Sequence, residues 1–348
     1  MYDLKLSKIN LKQNSEVEEV EKFLESFNLI LDKDVDYTVV LRNNVDKIVA
    51  TCSKAKTVFK CFAVSSDLQG EGVTSTLITD LIDRSFNEGI YHNFIFTKPQ
   101  NIDIFSSLNF KLVQKVEKVA LLERGIYHIE TVLKDIIDKY SIDLNKKRAS
   151  IVMNCNPFTK GHRYLIEKAA LDFEEVLVFI VQEDKSLFPF KERYELVKKG
   201  VEDLQNVKVI PGTEYIISSA TFPSYFLRKE DERLRQYTKL DASVFGKYFC
   251  RELNIRTRLL GEEPYCKVTR AYNVALKEVL KDYEVKVIEL KRKEFMGEAI
   301  TASKVRDYIK KDRMKELEGL VPKVTFAFLN TKRGKEIVEN IKKSNSPH

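Results

Sequence analysis

The chain has no apolar run long enough to cross a membrane. The longest, Val176 to Val181, falls far short of the ~20 residues a spanning helix needs. Its first residues, Met1-Tyr2-Asp3-Leu4-Lys5, are polar and charged, so no secretory signal is expected. Cysteine is scarce and odd in number. Cys52, Cys61, Cys155, Cys250 and Cys266 have neither metal-ligand nor disulfide spacing, which leaves scattered reduced thiols and a cytoplasmic location as the expectation. No protein-held metal is expected, and no internal repeat or low-complexity segment occurs. Histidine appears only four times. Charge of one sign is modest, with 59 Lys and Arg against 52 Asp and Glu, a net +7, interleaved throughout. No recognition helix, RNP motif or zinc-finger spacing accompanies it, so nucleic acid is not an expected partner. An anionic small molecule or an acidic protein suits the bias as well.

What is present is a chain of 348 residues, 43% of them hydrophobic, enough for about two ordinary domains of ~100–200 residues each. The first 125 residues read as α+β. Glu16 to Phe27 carries Val17, Val20, Phe23, Leu24 and Phe27 on one helical side. Strands are expected at Tyr37–Arg42 and Asp46–Cys52 around an Asn43-Asn44 turn, then at Thr57–Val64 and Tyr91–Phe96. Gln69-Gly70-Glu71-Gly72 precedes a helix with Leu77, Ile78, Leu81 and Ile82 on one side, and Ile102 to Leu108 is a short helix. Residues 126–147 read as a helical connector. Residues 148–348 alternate strands with helices, and the strands fall at Ala149–Met153, Val176–Val181, Val207–Ile210, Thr257–Leu260 and Val285–Leu290. That alternation predicts an α/β domain with a doubly wound parallel sheet. One final helix is expected over Val324–Lys343.

The most informative stretch is Asn154-Cys155-Asn156-Pro157-Phe158-Thr159-Lys160-Gly161-His162. It follows the apolar run Ile151-Val152-Met153 and precedes a helical pattern, so backbone N–H groups and a positive helix end face whatever sits at the turn. Thr159 adds a hydroxyl, Gly161 lets backbone approach a ligand, and His162 adds an imidazole. Three further segments lie at strand ends, where open parallel sheets bind ligands. Gln182-Glu183-Asp184-Lys185 carries an ammonium, and Gly261-Glu262-Glu263-Pro264-Tyr265 follows the fourth strand. Ile300-Thr301-Ala302-Ser303-Lys304-Val305-Arg306 opens a helix whose hydroxyls and guanidinium can meet one phosphate. The set suits a nucleoside triphosphate, with Asn154, Asn156, Pro157, Phe158, Thr159, Gly161, His162, Lys185, Gly261, Thr301, Ser303 and Arg306 as the expected contacts. Cys155 reads as a small residue filling a tight turn rather than as a nucleophile.

Thr159-x-Gly161-His162 with Ile300-Thr301-Ala302-Ser303-x-x-Arg306 resembles the paired (HIGH-like) signatures of the nucleotidyltransferase superfamily. Gln182–Lys185 through Glu192-Arg193 resembles the equivalent segment of phosphopantetheine adenylyltransferase. Ser150–Thr159, Tyr215–Phe226 and Glu263–Thr269 are similar to the citrate (pro-3S)-lyase ligase family, and that resemblance spans nearly the whole chain. Ala302 departs from the wider superfamily, which often has serine there, and Glu262 stands where a smaller residue is expected. Val64 to Ile82 and Phe105 to Phe110 resemble the GNAT-type acetyltransferases, although Asp67 replaces a usual Arg or Gln.

The family resemblance implies an ATP-dependent ligase, with Mg²⁺ accompanying the nucleotide. Acetate attacks the α-phosphorus to give acetyl adenylate. The adenylate then acetylates the phosphoribosyl-dephospho-CoA thiol of the citrate lyase acyl carrier protein, and AMP and pyrophosphate are released. His162, Thr159 and Lys185 are the implied catalytic groups. Gln69, Gly70 and Gly72 are the implied site for the pyrophosphate of the carrier's prosthetic arm, unless the first domain serves only as a docking module. The equivalent acetate ligase for a malonate decarboxylase carrier, and an adenylyltransferase acting on a phosphopantetheine-like acceptor, are the alternatives. Lys146-Lys147-Arg148 and Lys291-Arg292-Lys293 are basic clusters that an acidic carrier could meet.

Overall fold

The computed structural model describes residues 4–182, 186–216, 222, 225–227, 230–263 and 267–344, with backbone alone at 267 and 268. The chain forms two compact units. One comprises Met1–Thr131 and Phe222–Leu240, the other Val132–Thr221 and Asp241–His348.

The first unit is built on seven strands: β1 (Lys5–Lys8), β2 (Tyr37–Arg42), β3 (Ile48–Ala55), β4 (Val58–Val64), β5 (His92–Thr97), β6 (Lys111–Lys115) and β7 (Ala120–Gly125). Their order is β1-β2-β3-β4-β5-β7-β6. All neighbours are antiparallel except β4 and β5, which run parallel over only two residue pairs. Strand β1 and the β6–β7 pair are additions to the expected set. Their short runs mix Lys, Gln and Glu with apolar residues, so alternation is weak there. The helices are α1 (Asn14–Glu25), α2 (Val73–Asn87) and α3 (Ile102–Ser106). Every residue of β3 is buried, because both faces of the sheet are covered. Leu77, Ile78 and Leu81 of α2 lie in one cluster with Phe59, Ile95 and Phe110. Val20 and Leu24 of α1 lie in another with Val40, Cys61 and Tyr225. Tyr225 is far away in sequence, yet it is hydrogen-bonded into this unit. Its hydroxyl donates to the Phe96 carbonyl at 2.8 Å, and its own carbonyl accepts from Ile30 N–H at 3.0 Å.

The second unit opens within α4 (Ile129–Lys139) and carries β8 (Arg148–Met153), α5 (Lys160–Asp172), β9 (Glu175–Ile180), α6 (Phe190–Gly200) and β10 (Val207–Pro211). After α7 (Glu230–Val244) follow β11 (Thr257–Gly261), α8 (Lys267–Lys281), β12 (Lys286–Leu290), the two-residue pair β13 (Glu294–Phe295) and β14 (Glu298–Ala299), and α9 (Ala302–Lys310). The sheet runs β10-β9-β8-β11-β12 and is wholly parallel. The order reverses between β8 and β11, which is where such sheets bind ligands at the carboxyl ends of their strands. The tail is not one helix. It breaks into α10 (Lys323–Leu329) and α11 (Lys332–Lys343), because the Thr331 hydroxyl caps α11 by accepting Gly334 N–H at 3.0 Å. A β-carbon on Gly334 would come within 2.0 Å of the Phe328 carbonyl, so the sharp turn needs glycine there.

Arg148, read from sequence as part of a surface cluster, is instead buried at the start of β8. It pairs with the equally buried Glu175 at 2.6 Å and donates to the carbonyls of Asp143 and Leu253. Lys208 reaches the same carboxylate at 3.1 Å. Removing one partner of a buried pair strands the other charge. Arg148→Met is therefore expected to lower stability by about 3–5 kcal/mol in urea titration. Arg148→Met combined with Glu175→Leu should recover most of that loss.

Candidate functional site

The turn after β8 is held rigidly from below. Arg193 of α6 is fully buried; its Nε donates to the Phe188 carbonyl at 2.9 Å, and its Nη1 donates to the carbonyls of Asn154 and Val181 at 2.8 Å. Asn156 Oδ1 accepts Phe188 N–H at 3.0 Å, and Asn154 Nδ2 donates to Ser186 Oγ at 3.0 Å. The Asn156–Pro157 peptide is cis, and Cys155 sits in left-handed backbone with φ 55°. Burial pushes the Cys155 thiol far above its ordinary pKa, so it stays protonated and fills space. Phe158 is also buried. Its ring lies where a β-carbon on Gly200 would intrude to 2.4 Å, and its carbonyl accepts from Thr325. The side chain of Phe158 thus belongs to the core, and Arg193, to which the sequence reading gave no role of its own, is the residue that supports the turn.

Thr159 caps α5 through a reciprocal arrangement. Its Oγ1 accepts His162 N–H at 3.2 Å, while its own N–H donates to His162 Nδ1 at 3.1 Å. An Nδ1 that accepts carries no proton, so the ring proton of the neutral imidazole sits on Nε2. Burial, helped by the positive charge of Arg292, lowers the His162 pKa to about 4. His162 is therefore a neutral hydrogen-bond donor at physiological pH. Thr159 itself is buried and occupied in the cap; it positions His162 instead of offering a free hydroxyl.

The first N–H groups of α5 are only partly open. Lys160 N–H donates to the Leu320 carbonyl at 2.9 Å, and among the described residues Gly161 N–H has no partner. A β-carbon on Gly161 would stand 2.9 Å from the Ile300 carbonyl. The glycine thus admits the backbone that leads into α9. There Thr301 Oγ1 accepts Lys304 N–H at 3.0 Å, and the N–H groups of Ala302 and Ser303 have no partner among the described residues. Arg306 is buried beneath. Its Nη1 donates to the Asn156 carbonyl and its Nη2 to Ser303 Oγ, so the guanidinium ties the two motifs together. Two helix N-termini converge with three open N–H groups, an imidazole donor and an exposed Ser303. Converging partial positive charges of this kind favour a polyanion.

The third segment borders the same place. Gly261 ends β11 with open space where a β-carbon would lie, and its carbonyl accepts from Asn273 at 3.2 Å. Arg292, read from sequence as a surface cation, donates to the Glu262 carbonyl and pairs with the Glu263 carboxylate. Lys185, expected over the same crevice, lies outside the described residues, as do Pro264-Tyr265-Cys266 and Ile217–Thr221. Among the described residues no group of three or more His, Cys, Asp or Glu side chains could hold a metal. The protein donors at this site suit phosphate oxygens.

In the first unit, Gly70 and Gly72 adopt φ 88° and 74°, with open space at both β-carbon positions. Gly72 precedes α2 without a side-chain cap, and Gln69 is exposed beside it.

Two measurements follow from this geometry. The His162 ring should show no NMR titration between pH 6 and 8 and should protonate only near pH 4. The unfolded ring, with a pKa of 6.5, takes up a proton that the folded ring refuses, so His162 lowers folding stability as pH falls from 6.5 through 4 and has no such effect above. Gly161→Ala, crowding the Ile300 carbonyl, should cost about 1–3 kcal/mol of stability and weaken triphosphate binding in calorimetry.

The family described as the citrate lyase ligase C-terminal domain matches residues 148–329. The citrate (pro-3S)-lyase ligase of Haemophilus influenzae is 36% identical over 316 residues, covering 89% of this chain and 94% of its own length. A phosphopantetheine adenylyltransferase of Finegoldia magna is 37% identical over 68 residues, 19% of this chain and 42% of that protein. A GNAT-family acetyltransferase structure from Staphylococcus aureus is 16% identical with a TM-score of 0.30, covering 36% of this chain and 99% of that one. With identity at this level along nearly its whole length, the chain belongs to the citrate (pro-3S)-lyase ligase family.

Proposed function

We propose that this protein activates citrate lyase by acetylating it, using ATP and acetate, and that the chemistry takes place at the paired helix N-termini. Acetate oxygen is a poor leaving group, so acetate must first be joined to something better. Its carboxylate attacks the α-phosphorus of ATP; the new O–P bond forms as the bond to the β-phosphate oxygen breaks, giving acetyl adenylate and pyrophosphate. The protein's part in such a transfer is mostly positioning and charge stabilisation. His162 Nε2–H donates to an α-phosphate oxygen. The N–H groups of Gly161, Ala302 and Ser303, with the Ser303 hydroxyl, receive the β- and γ-phosphates. Lys185 adds its charge there. Thr159 and Arg306 position these donors.

In the second step the carrier thiol attacks the acetyl carbon and AMP departs with the bonding electrons, while the thiol proton passes to solvent. The thiol belongs to the carrier's phosphoribosyl-dephospho-CoA group. In this reading the Gly70–Gly72 turn and the start of α2 hold the pyrophosphate of that arm. Calorimetry of the full chain with dephospho-CoA tests the assignment; no heat at millimolar ligand removes the turn from this role.

The observation that carries the reading is the neutral imidazole donor beside open N–H groups at two helix starts, in a chain of this family. His162→Ala should slow acetate-dependent exchange of pyrophosphate into ATP by about a hundredfold or more. Exchange at the wild-type rate in that variant would remove His162 from the α-phosphate. The substrate assignment is tested with ATP, acetate and deacetylated citrate lyase, reading AMP and recovered lyase activity. A product that keeps AMP would point instead to adenylyl transfer onto a phosphopantetheine-like acceptor. Turnover confined to a malonate decarboxylase carrier would change the partner.

A further inference from the structure

A second concave feature of the first unit lies at the opposite end of α2 from the Gly70–Gly72 turn. Fifteen helical residues separate the two, about 22 Å at 1.5 Å per residue. A cavity of about 610 Å³ opens there between the end of α2, the turn before β6 and the end of β7. Its rim carries three large apolar side chains that stand out from the surface. Phe86, Tyr91 and Ile126 stand 64%, 50% and 77% exposed, and the Phe86 and Tyr91 rings meet edge to face at 5.4 Å.

The charge of the same wall has one sign. Lys111 and Arg124 line the cavity, and among the described residues no Asp or Glu does. Arg124 makes no ion pair or side-chain hydrogen bond among the described residues. Lys111 Nζ lies 2.9 Å from His128 Nε2, which fixes the ammonium at this wall. The shape is set by backbone: a β-carbon on Gly125 would come within 2.5 Å of the Tyr91 carbonyl.

Clustered exposed aromatic and aliphatic side chains beside an unpaired arginine make a protein-docking surface. The sign of its charge selects the partner. We infer that this face docks an acidic protein segment, one that places an apolar side chain in the cavity and carboxylates against Arg124 and Lys111. Resting on the function proposed above, the partner is the citrate lyase carrier. The large rim supplies contact area, and the two cations steer encounter and orientation.

The test uses the full chain and deacetylated citrate lyase. Arg124→Glu and, separately, Phe86→Ala should each raise KM for the lyase about tenfold, since central aromatic and arginine anchors are worth this much. Acetate-dependent pyrophosphate exchange, which needs no carrier, should stay at the wild-type rate in both, and an unchanged thermal melt reports that the first unit, which carries both substitutions, is intact. Added salt should raise KM for the wild type and have little effect on Arg124→Glu. Unchanged KM in both variants, with exchange intact, would overturn the docking surface and leave the function standing. Absence of exchange in the wild type would instead overturn the function.

Discussion

Two positive helix ends are brought side by side in this protein, and the rest of the site depends on that approach. It is possible because Gly161 has no side chain: the Ile300 carbonyl occupies the space a β-carbon would need. Arg306 adds a third positive group in the same place, buried with its guanidinium spent on the Asn156 carbonyl. Such an arrangement repels itself when empty. The packing that holds it therefore stores an electrostatic preference for an anion, which is the kind of preorganisation that needs no rearrangement when charge develops. Arg193 serves the same end from beneath, locking three carbonyls so that the turn cannot relax away.

The reciprocal cap between Thr159 and His162 has a chemical consequence beyond helix stability. A capping box ordinarily satisfies two backbone donors. Here the returning side chain is an imidazole, so satisfying the Thr159 N–H also selects the ring tautomer and leaves the proton on Nε2. Burial and Arg292 keep the ring neutral. The result is a donor whose state does not change across the physiological range. That suits hydrogen bonding to a phosphate better than proton transfer.

The expected layout of strands and helices in the second half matched the structure closely, because parallel strands buried on both faces read as apolar runs, and helices of one amphipathic face separate them. The turn itself was equally legible, being local, whereas Thr159, read as a hydroxyl for a ligand, serves as the cap of α5. Other features were not. Arg148 and Arg292 look like surface cations in a basic run, and only the fold shows each beside a carboxylate. Tyr225 lies in a block that reads as part of the catalytic half, yet its hydroxyl and carbonyl are hydrogen-bonded into the first unit. Sequence distance carries no information about which core a side chain will join.

The sequence by itself determined the secondary structure around the site, the residue types offered to a polyanion and, through its motifs, the family. These depend on periodicity, capping and turn chemistry, which act over a few residues. Tertiary structure decided which of those residues remain available. Phe158, Cys155 and Thr159 were drawn into the core or the cap; Arg306 became a tie between motifs; the N–H groups of Gly161, Ala302 and Ser303 have no partner among the described residues. A group's availability is set by what packs against it from distant parts of the chain, and burial, tautomer and charge state follow from that packing alone.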